Sequence, residues 1–213
     1  MSSTTRVMIV DDHAVVREGL KMILDGQEGI DVVAEAGDDA SALTQARQKD
    51  IDVALLDVSL PGRSGLEILK QLRRQYPDLA VLMLSIHPED QYAVRFLRAG
   101  ASGYMTKETA PAELVAAIRK VANGGRYVSQ ALAECLVEEL ENPESSDPHT
   151  RLSDREYQLL IRIGQGLKPG QIAEELRVST KTISTYRSRL LEKMGLSSNA
   201  ELVQYAVRQG LVD

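Results

Sequence analysis

The sequence predicts an α/β protein, namely a doubly wound five-stranded parallel-sheet domain followed by a small all-α domain. Three observations carry this prediction. Short apolar runs alternate five times with helical patterns between Arg6 and Ala122. One run, Val53 to Val58, is apolar at five of six positions, which is typical of a strand covered on both faces. From residue 151 onwards only helical patterns occur.

The first domain is expected to repeat a strand-helix unit. Strands are predicted at residues 6–10, 32–34, 53–58, 80–84 and 103–105, and helices at 15–24, 40–48, 66–72, 91–99 and 112–122. Turn signals separate them: Leu60-Pro61-Gly62 follows the third strand, and Gly100 closes the fourth helix. Because βαβ crossovers are right-handed, such an alternation leaves few topologies other than a doubly wound sheet.

Composition places the chain among ordinary globular proteins. It contains 43% hydrophobic and 26% charged residues, and Cys135 is its only cysteine. Neither a signal peptide nor an apolar stretch of about 20 residues is present, so no membrane partner is expected. A single cysteine cannot form an internal disulfide, and we therefore predict a cytoplasmic protein.

Charge and composition divide the chain into three parts. We predict one domain at residues 1–123, a connector at 124–150 and a second domain at 151–213. The last part has 10 Lys and Arg residues against 7 Asp and Glu residues, a net charge of +3, which favours contact with a polyanion. In the connector, a helix at 129–141 is expected to bury Leu132, Leu136, Val137 and Leu140 and to expose its glutamates, and 142–150 should be flexible.

The second domain carries a helix-turn-helix pattern. S-x-x-E capping boxes at Ser153 and Ser198 open its first and last helices, and a short helix from Pro169 leads through residues 178–180 into a longer helix, 180–194. Ile183, Tyr186, Leu190 and Met194 share the core face of this helix. The opposite and flanking positions are polar or basic, and they are Lys181, Thr182, Ser184, Thr185, Ser188 and Arg189. Arg187 projects nearer the core face. A major groove could accept this helix, although a plain amphipathic surface helix explains the periodicity equally well.

Five polar side chains are predicted to meet at one edge of the sheet. Asp11 and Asp12 end the first strand, Asp57 the third and Ser85 the fourth, and Lys107 follows the fifth. Ligands bind at this carboxyl edge in open α/β sheets. Crowded carboxylates repel one another unless a cation intervenes, which suits Mg²⁺ or Mn²⁺. Its own stretch favours Asp57 as the first residue of a loop, but together these groups are the parts needed to phosphorylate a carboxylate.

Two sets of motifs carry a family resemblance. Residues 5–123 resemble the receiver domain of two-component response regulators through Asp11-Asp12-His13, Asp57-Val58-Ser59-Leu60-Pro61-Gly62, Ser85 and the stretch 100–107. Residues 150–211 resemble the LuxR-type DNA-binding domain through the motifs at 152–156, 172–173, 179–183, 187–190 and 192–195. The order of the two looks like the NarL/FixJ family. Tyr186 and Lys168-Pro169-Gly170 depart from that family's usual residues.

The resemblance implies a role for each site residue. Asp57 would accept a phosphoryl group from a sensor histidine kinase, and Ser85 and Lys107 would hold its oxygens. Asp11, Asp12, Asp57 and the backbone carbonyl of Ser59 would bind Mg²⁺. Tyr104 would be an aromatic switch that turns inward when Ser85 moves.

The resemblance also implies a regulator of transcription rather than an enzyme with an external substrate. Its catalysis would be limited to its own phosphoryl transfer and dephosphorylation. The expected partners are double-stranded promoter DNA, a second copy of the phosphorylated chain and RNA polymerase. Leu202, Val203 and Ala206 on the last helix are the predicted dimer surface.

Several alternatives stand beside these roles. Lys107 could be a surface lysine, Ser85 a turn residue and Tyr104 ordinary packing. His13 lies where the first helix begins, and we do not expect it to bind a metal or transfer phosphate. A phosphatase that uses Asp57 as its nucleophile usually needs a second acid two residues later, where this chain has Ser59. A regulator acting through protein or RNA is the other alternative.

Overall fold

The chain folds into two compact units, Met1–Glu141 and Asn142–Asp213. The computed structural model describes residues 4–60, 65–85, 91–141, 148–176 and 178–212. Two predicted features lie partly outside these residues: the turn at Leu60-Pro61-Gly62 and the flexible stretch at 142–150. In the described part of that stretch, residues Pro148–Arg151 form a 3-10 helix, which the prediction of a flexible linker does not include.

A five-stranded parallel sheet forms the centre of the first unit. Its strands are β1 (Thr5–Val10), β2 (Ile30–Ala36), β3 (Val53–Asp57), β4 (Ala80–Ser85) and β5 (Gly103–Thr106). They lie in the order β2-β1-β3-β4-β5, and every neighbouring pair is parallel. The predicted doubly wound sheet is therefore confirmed.

Helices follow the strands in alternation. They are α1 (Ala14–Leu24), α2 (Asp39–Gln48), α3 (Gly65–Gln75), α4 (Gln91–Arg98) and α5 (Pro111–Ala122), with α6 (Gln130–Glu141) added at the end of the unit. Each predicted helix is present within a few residues of its expected bounds. Gly100 follows α4 with a φ of 102°. Residues with a Cβ rarely adopt this backbone conformation, so glycine suits the position.

The central strands of the sheet are more deeply buried than the edge strand β2. All five residues of β3 are buried, as are all six of β4, because helices cover both faces of the sheet there. The edge strand β2 is longer than predicted, since it continues through Asp31 and Glu35, which are polar and less buried. A search for apolar runs misses such residues, whereas their pairing with β1 keeps them in the sheet.

Helix α6 packs against α4 within the first unit. Leu132 is fully buried there, as the apolar pattern predicts. The prediction is wrong for Val137, whose surface is 52% exposed. At 100° per residue Val137 lies well away from Leu132 around the helix, so a single contact with α4 cannot cover both. The side chains of residues 138–141 lie outside the description.

The second unit consists of helices around a small apolar core. Its α-helices are α7 (Asp154–Gly164), α8 (Pro169–Glu175), α9 (Thr180–Met194) and α10 (Asn199–Arg208). Ser198 caps α10 by accepting a hydrogen bond from the backbone N–H of Glu201, as predicted. At α7 the backbone N–H of Ser153 donates to Oε2 of Glu156 at 2.7 Å. None of the helices in the described part of the chain combines the length and apolar composition that crossing a bilayer requires.

Helix α10 corrects the predicted dimer surface. It packs against α7, and Leu202 and Ala206 are fully buried in that contact face. Side chains that fill the domain core are not available to a second copy of the chain. The larger apolar residues of α10 that remain accessible are Val203, which is partly buried, and Val207, which is 51% exposed.

Candidate functional site

The predicted site residues meet at the carboxyl edge of the sheet. Asp11 follows β1 directly, Asp57 is the last residue of β3, and Ser85 is the last residue of β4. Lys107 lies immediately after β5. Because neighbouring parallel strands end on the same side, residues far apart in the sequence converge there, and the structure brings all four together.

Lys107 joins the two buried carboxylates of this edge. Its Nζ lies 2.6 Å from Oδ2 of Asp11 and 3.1 Å from Oδ1 of Asp57. Its own backbone N–H donates to the carbonyl of Ser85 at 2.6 Å, which fixes the start of the loop that carries it. Lys107 is thus held between the ends of three strands and is not an unattached surface lysine.

Asp57 occupies an unusual environment for a carboxylate. Only 2% of its surface is exposed, and its Oδ1 accepts a hydrogen bond from the backbone N–H of Ser59 at 3.2 Å. Its Oδ2 is buried and has no hydrogen-bond partner among the described residues. Burial raises the pKa of Asp57, as does the nearby charge of Asp11, while Lys107 and the Ser59 amide act in the opposite direction.

Lys107 shows the complementary effect. Burial alone would lower the pKa of its ammonium group, but the hydrogen bond to Asp11 and the charges of Asp57 and Asp11 outweigh burial and raise that pKa. The ammonium group therefore stays charged at neutral pH and offsets part of the negative charge at the site.

The cluster also has the donor atoms of a cation site. Asp11, Asp12, His13 and Asp57 each offer one ligand atom, and these atoms all lie within 4.8 Å of one another. Oδ2 of Asp57 is buried without a hydrogen-bond partner among the described residues, and Oδ1 of Asp12 is buried beside the His13 ring. A hard divalent cation prefers such carboxylate oxygens, so the residues present fit Mg²⁺.

His13 is closer to this cluster than its position at a helix start indicates. Its Nδ1 lies 2.8 Å from Oδ1 of Asp12 and 3.3 Å from Oδ1 of Asp11. Its backbone N–H donates to Asp11 Oδ1 at 2.9 Å. The sequence offers only one signal for this placement, the direct succession of His13 after Asp11 and Asp12.

Ser85 and Tyr104 lie inside the unit beside this edge. Both are fully buried, and the Tyr104 ring centroid is 5.9 Å from that of Phe96 in α4. In this structure Tyr104 therefore already has the inward position that the proposed switch would adopt. The contact between Tyr104 and Phe96 connects β5 with α4.

Gly65 is a residue of the site that sequence reasoning does not identify. It begins α3, and its backbone N–H donates to the carbonyl of Val58 at 3.2 Å. A Cβ at this position would lie 2.7 Å from the carbonyl oxygen of Asp57 and 2.9 Å from Cα of Val58. Only glycine lets α3 begin this close to the strand that carries Asp57.

The second candidate site is the exposed face of α9. Lys181, Ser184, Thr185, Ser188 and Arg189 are all exposed, and Thr182 is partly buried. The opposite face is the predicted core face, with Ile183, Leu190 and Met194 buried and Tyr186 partly so.

Arg187 differs from the other predicted DNA contacts. It is partly buried, and its Nε donates to Oδ1 of Asn199 at 2.5 Å. This bond connects α9 to the start of α10. Arg187 therefore serves a contact between helices in this structure, and reaching a phosphate would require it to leave Asn199.

Family models account for most of the chain. The response regulator receiver domain matches residues 7–119, and the luxR family of bacterial regulatory proteins matches residues 150–206. The response regulator GacA of Pseudomonas viridiflava is 42% identical over 209 residues, which cover 98% of both chains.

Solved structures of the response regulator RcsB have a similar architecture. RcsB of Salmonella typhimurium, studied for its DNA interaction, aligns with a TM-score of 0.70 at 26% identity and covers 95% of this chain and 96% of its own. A structure of two RcsB dimers bound to two parallel DNAs aligns with a TM-score of 0.60 at 25% identity, with 96% and 98% coverage. This chain therefore belongs to the NarL/FixJ family of two-component response regulators, in which phosphorylation of a receiver domain controls transcription through a LuxR-type DNA-binding domain.

Proposed function

We propose that Asp57 accepts the phosphoryl group and that the receiver function resides in residues 1–123, with DNA binding in residues 151–213. The observation that supports this most strongly is the contact of Lys107 Nζ with both Asp11 and Asp57 at 2.6 and 3.1 Å. Asp11 and Asp57 are almost completely buried, and they lie with the Lys107 ammonium group at the ends of three strands. Such an arrangement suits a charged ligand rather than a packing contact.

The proposed step transfers the phosphoryl group of a phosphohistidine on a sensor histidine kinase. A carboxylate oxygen of Asp57 attacks the phosphorus atom, the P–N bond breaks, and the imidazole leaves and takes up a proton. The product is an acyl phosphate on Asp57. Lys107 is placed to hold a phosphoryl oxygen by a charge-assisted hydrogen bond, and the Ser85 hydroxyl is proposed to donate to another. The chain catalyses this transfer on itself alone, and likewise the hydrolysis of the acyl phosphate, in which water takes the phosphoryl group as inorganic phosphate and restores the Asp57 carboxylate.

Mg²⁺, or Mn²⁺ in its place, would be held by Asp11, Asp12, Asp57 and the backbone carbonyl of Ser59. When bound, the cation offsets the negative charge that the carboxylates and the arriving phosphoryl oxygens would otherwise concentrate. The buried Oδ2 of Asp57, which lacks a hydrogen-bond partner among the described residues, supports this assignment.

Ser85 and Tyr104 are the proposed links from Asp57 to the rest of the receiver. A phosphoryl group can shift the protein only by stabilising one arrangement more than another. Tyr104 packs near Phe96 of α4, and α6 packs against α4 in turn. A movement of Ser85 towards the phosphoryl group would therefore reach α6 through contiguous side chains.

In the DNA-binding domain, α9 is the proposed recognition helix. Ser184, Thr185 and Ser188 would face base edges, and Lys181 and Arg189 would neutralise phosphates, with Thr182 at the flank. Arg187 would join them only after releasing Asn199. The target is double-stranded promoter DNA, and RNA polymerase is a further proposed partner. The proposed site of action is the cytoplasm.

A homodimer is the proposed DNA-binding form of the phosphorylated protein. The RcsB dimers on DNA support it by analogy. Since Leu202 and Ala206 fill the core, we assign the dimer contact on α10 to Val203 and Val207. Paired half-sites in the target would reflect the two-fold symmetry of such a dimer.

Phosphoryl uptake tests the central assignment. The intact protein is incubated with a small-molecule phosphodonor and Mg²⁺, and incorporation is measured by mass spectrometry for the wild type, Asp57→Ala and the control Asp25→Ala, which alters an exposed carboxylate. We expect uptake by the wild type and the control and none by Asp57→Ala. Equal uptake by all three proteins would show that Asp57 is not the acceptor, and sustained turnover of the donor would favour the phosphatase alternative.

Selection from random double-stranded DNA tests the second half of the proposal. The phosphorylated protein should enrich paired half-sites, and its affinity should fall steeply with salt because phosphate contacts release counterions. Absence of DNA binding, or binding without a steep salt dependence, would favour a regulator that works through protein or RNA.

A further inference from the structure

We propose that His13 is a nitrogen ligand of the cation site and that the site therefore prefers a first-row transition ion over Mg²⁺. This inference rests on the proposed function, because it assumes that the carboxylates at the sheet edge hold a cation. It adds a residue that we do not expect to bind metal on sequence grounds alone.

The distances around His13 are those of neighbouring ligands. Adjacent ligands of an octahedral ion at 2.0–2.1 Å lie about 2.9–3.0 Å apart. The Nδ1 atom of His13 lies 2.8 Å from Asp12 Oδ1 and 3.3 Å from Asp11 Oδ1. A protonated imidazole pairs with these carboxylates at such distances. A cation that takes the place of the proton would be shared by the same nitrogen and oxygen atoms.

A structural role does not account for His13. It occupies the N-cap position of α1, but its side chain makes no capping hydrogen bond. The side chain is 67% exposed, so it fills no core. Its backbone N–H, bonded to Asp11 Oδ1, holds the residue against the cluster. What remains for the imidazole is the contact with the carboxylates.

The available donor atoms form a mixed set. Lys107 takes up Oδ2 of Asp11 and Oδ1 of Asp57. One ligand atom from each of Asp11, Asp12, His13 and Asp57 lies within 4.8 Å of the others, so carboxylate oxygens and an imidazole nitrogen are within reach of one ion. Carboxylates alone suit Mg²⁺, whereas imidazole favours transition ions such as Co²⁺, Ni²⁺ and Zn²⁺. One nitrogen among the oxygens should therefore shift the preference of the site.

Calorimetric titration of the full chain with MgCl₂ and with CoCl₂ tests this preference. For His13→Ala we expect the Kd for Co²⁺ to rise roughly tenfold or more, as the loss of a ligand requires. The Kd for Mg²⁺ should change by less than about twofold, because Mg²⁺ gains little from nitrogen. Asp12→Asn is the matched control and should weaken both ions.

A spectroscopic measurement separates ligation from an indirect effect. Mn²⁺ bound to the wild type should show ¹⁴N modulation from imidazole in electron spin-echo experiments, and His13→Ala should lose it. Unchanged modulation and an unchanged ratio of the two Kd values would overturn the inference and leave the proposed function intact. Tighter binding of both ions by His13→Ala would overturn it too, since His13 would then compete with the cation. Failure of the wild type to bind any of these ions would contradict the cation site of the proposed function itself.

Discussion

The receiver edge and the exposed face of α9 hold their functional side chains in opposite surroundings. The receiver edge is the carboxyl edge of the sheet, with Asp11, Asp57 and Lys107. Asp57 is almost completely buried and depends on Lys107, which lies 50 residues later in the sequence. Lys181, Thr185 and Arg189 on α9 are exposed and lie within nine residues of one another. The first site exists only once the sheet has formed, whereas the second needs only a helix.

This difference determines how function and stability are related in each domain. At the receiver edge, charges that take part in phosphoryl transfer are also buried charges that the fold must accommodate, so a substitution there changes both properties. On α9 the proposed DNA contacts face solvent, where a substitution usually changes stability by less than about 0.5 kcal/mol. Four substitutions test this contrast.

Lys107→Met should have the largest effect on stability. It removes the ammonium group that compensates Asp11 and Asp57, and loss of one partner from a buried ion pair costs about 3–5 kcal/mol. Urea unfolding of the metal-free protein, followed by hydrogen exchange in peptides from β1 and β3, measures the change. Mg²⁺ should restore part of the loss. Lys120→Met, which removes an exposed lysine, is the control. If both substitutions lowered the free energy of unfolding equally, burial of the charges at the receiver edge would make no difference to stability.

Gly65→Ala comes next. The added Cβ would meet backbone atoms at 2.7–2.9 Å, so α3 or the end of β3 must shift, and such overpacking costs about 1–3 kcal/mol. Phosphoryl uptake at Asp57 should slow as well. Gly19→Ala is the matched control, since nothing lies within 4 Å of its Cβ and alanine favours the helix interior. If both variants had the same stability as the wild type, the close approach at Gly65 would carry no strain.

Asp57→Asn should change how stability depends on pH. The pKa of Asp57 is raised in the folded chain above the usual value of 3.8, so its contribution to stability is complete below pH 3.8 and is lost as the pH rises through the folded pKa. The variant lacks this loss.

Without metal, its free energy of unfolding should therefore exceed that of the wild type at neutral pH, and by less near pH 4. Urea titrations in a chelating buffer from pH 4 to 7.5 measure the difference. A difference that stays constant over this range would mean that Asp57 titrates alike in the folded and unfolded chains.

Lys181→Ala should leave the stability of its domain nearly unchanged and still weaken DNA binding. A single lost phosphate contact should reduce the slope of log affinity against log salt by about 1. Lys120→Ala makes the same charge change in the receiver and should leave this slope as it is. Binding isotherms at several salt concentrations give both values. A slope that both variants reduce equally would indicate a general charge effect rather than a contact of α9.

The sequence predicts which residues lie at the receiver edge better than it predicts how they are arranged there. Asp11, Asp57 and Lys107 are identified because each follows an apolar run, and parallel strands end on one side. The position of the His13 side chain and the need for glycine at residue 65 depend on how segments distant in sequence pack, which periodicity does not report. The same holds for α6, whose contact with α4 leaves Val137 outside.

In the helical domain the limits of prediction are different. Caps and the faces of α9 follow from local spacing, and Ser198, Ile183 and Leu190 behave as expected. Spacing shows that Leu202 and Ala206 are covered but not which element covers them, so the prediction that they face a second copy of the chain is wrong. In the structure α10 packs against α7.

The contacts of Glu156 have a consequence for how the DNA-binding domain opens. This buried carboxylate accepts a hydrogen bond from the backbone N–H of Ser153 and another from Nζ of Lys193, both at 2.7 Å. One side chain thus holds the first turn of α7 and the last turn of α9 together. When either helix end frays, the contact between Glu156 and Lys193 breaks, and each of the two charged groups loses its partner on the other helix. This contact therefore couples loosening of the last turn of the proposed recognition helix to loosening of the first turn of α7.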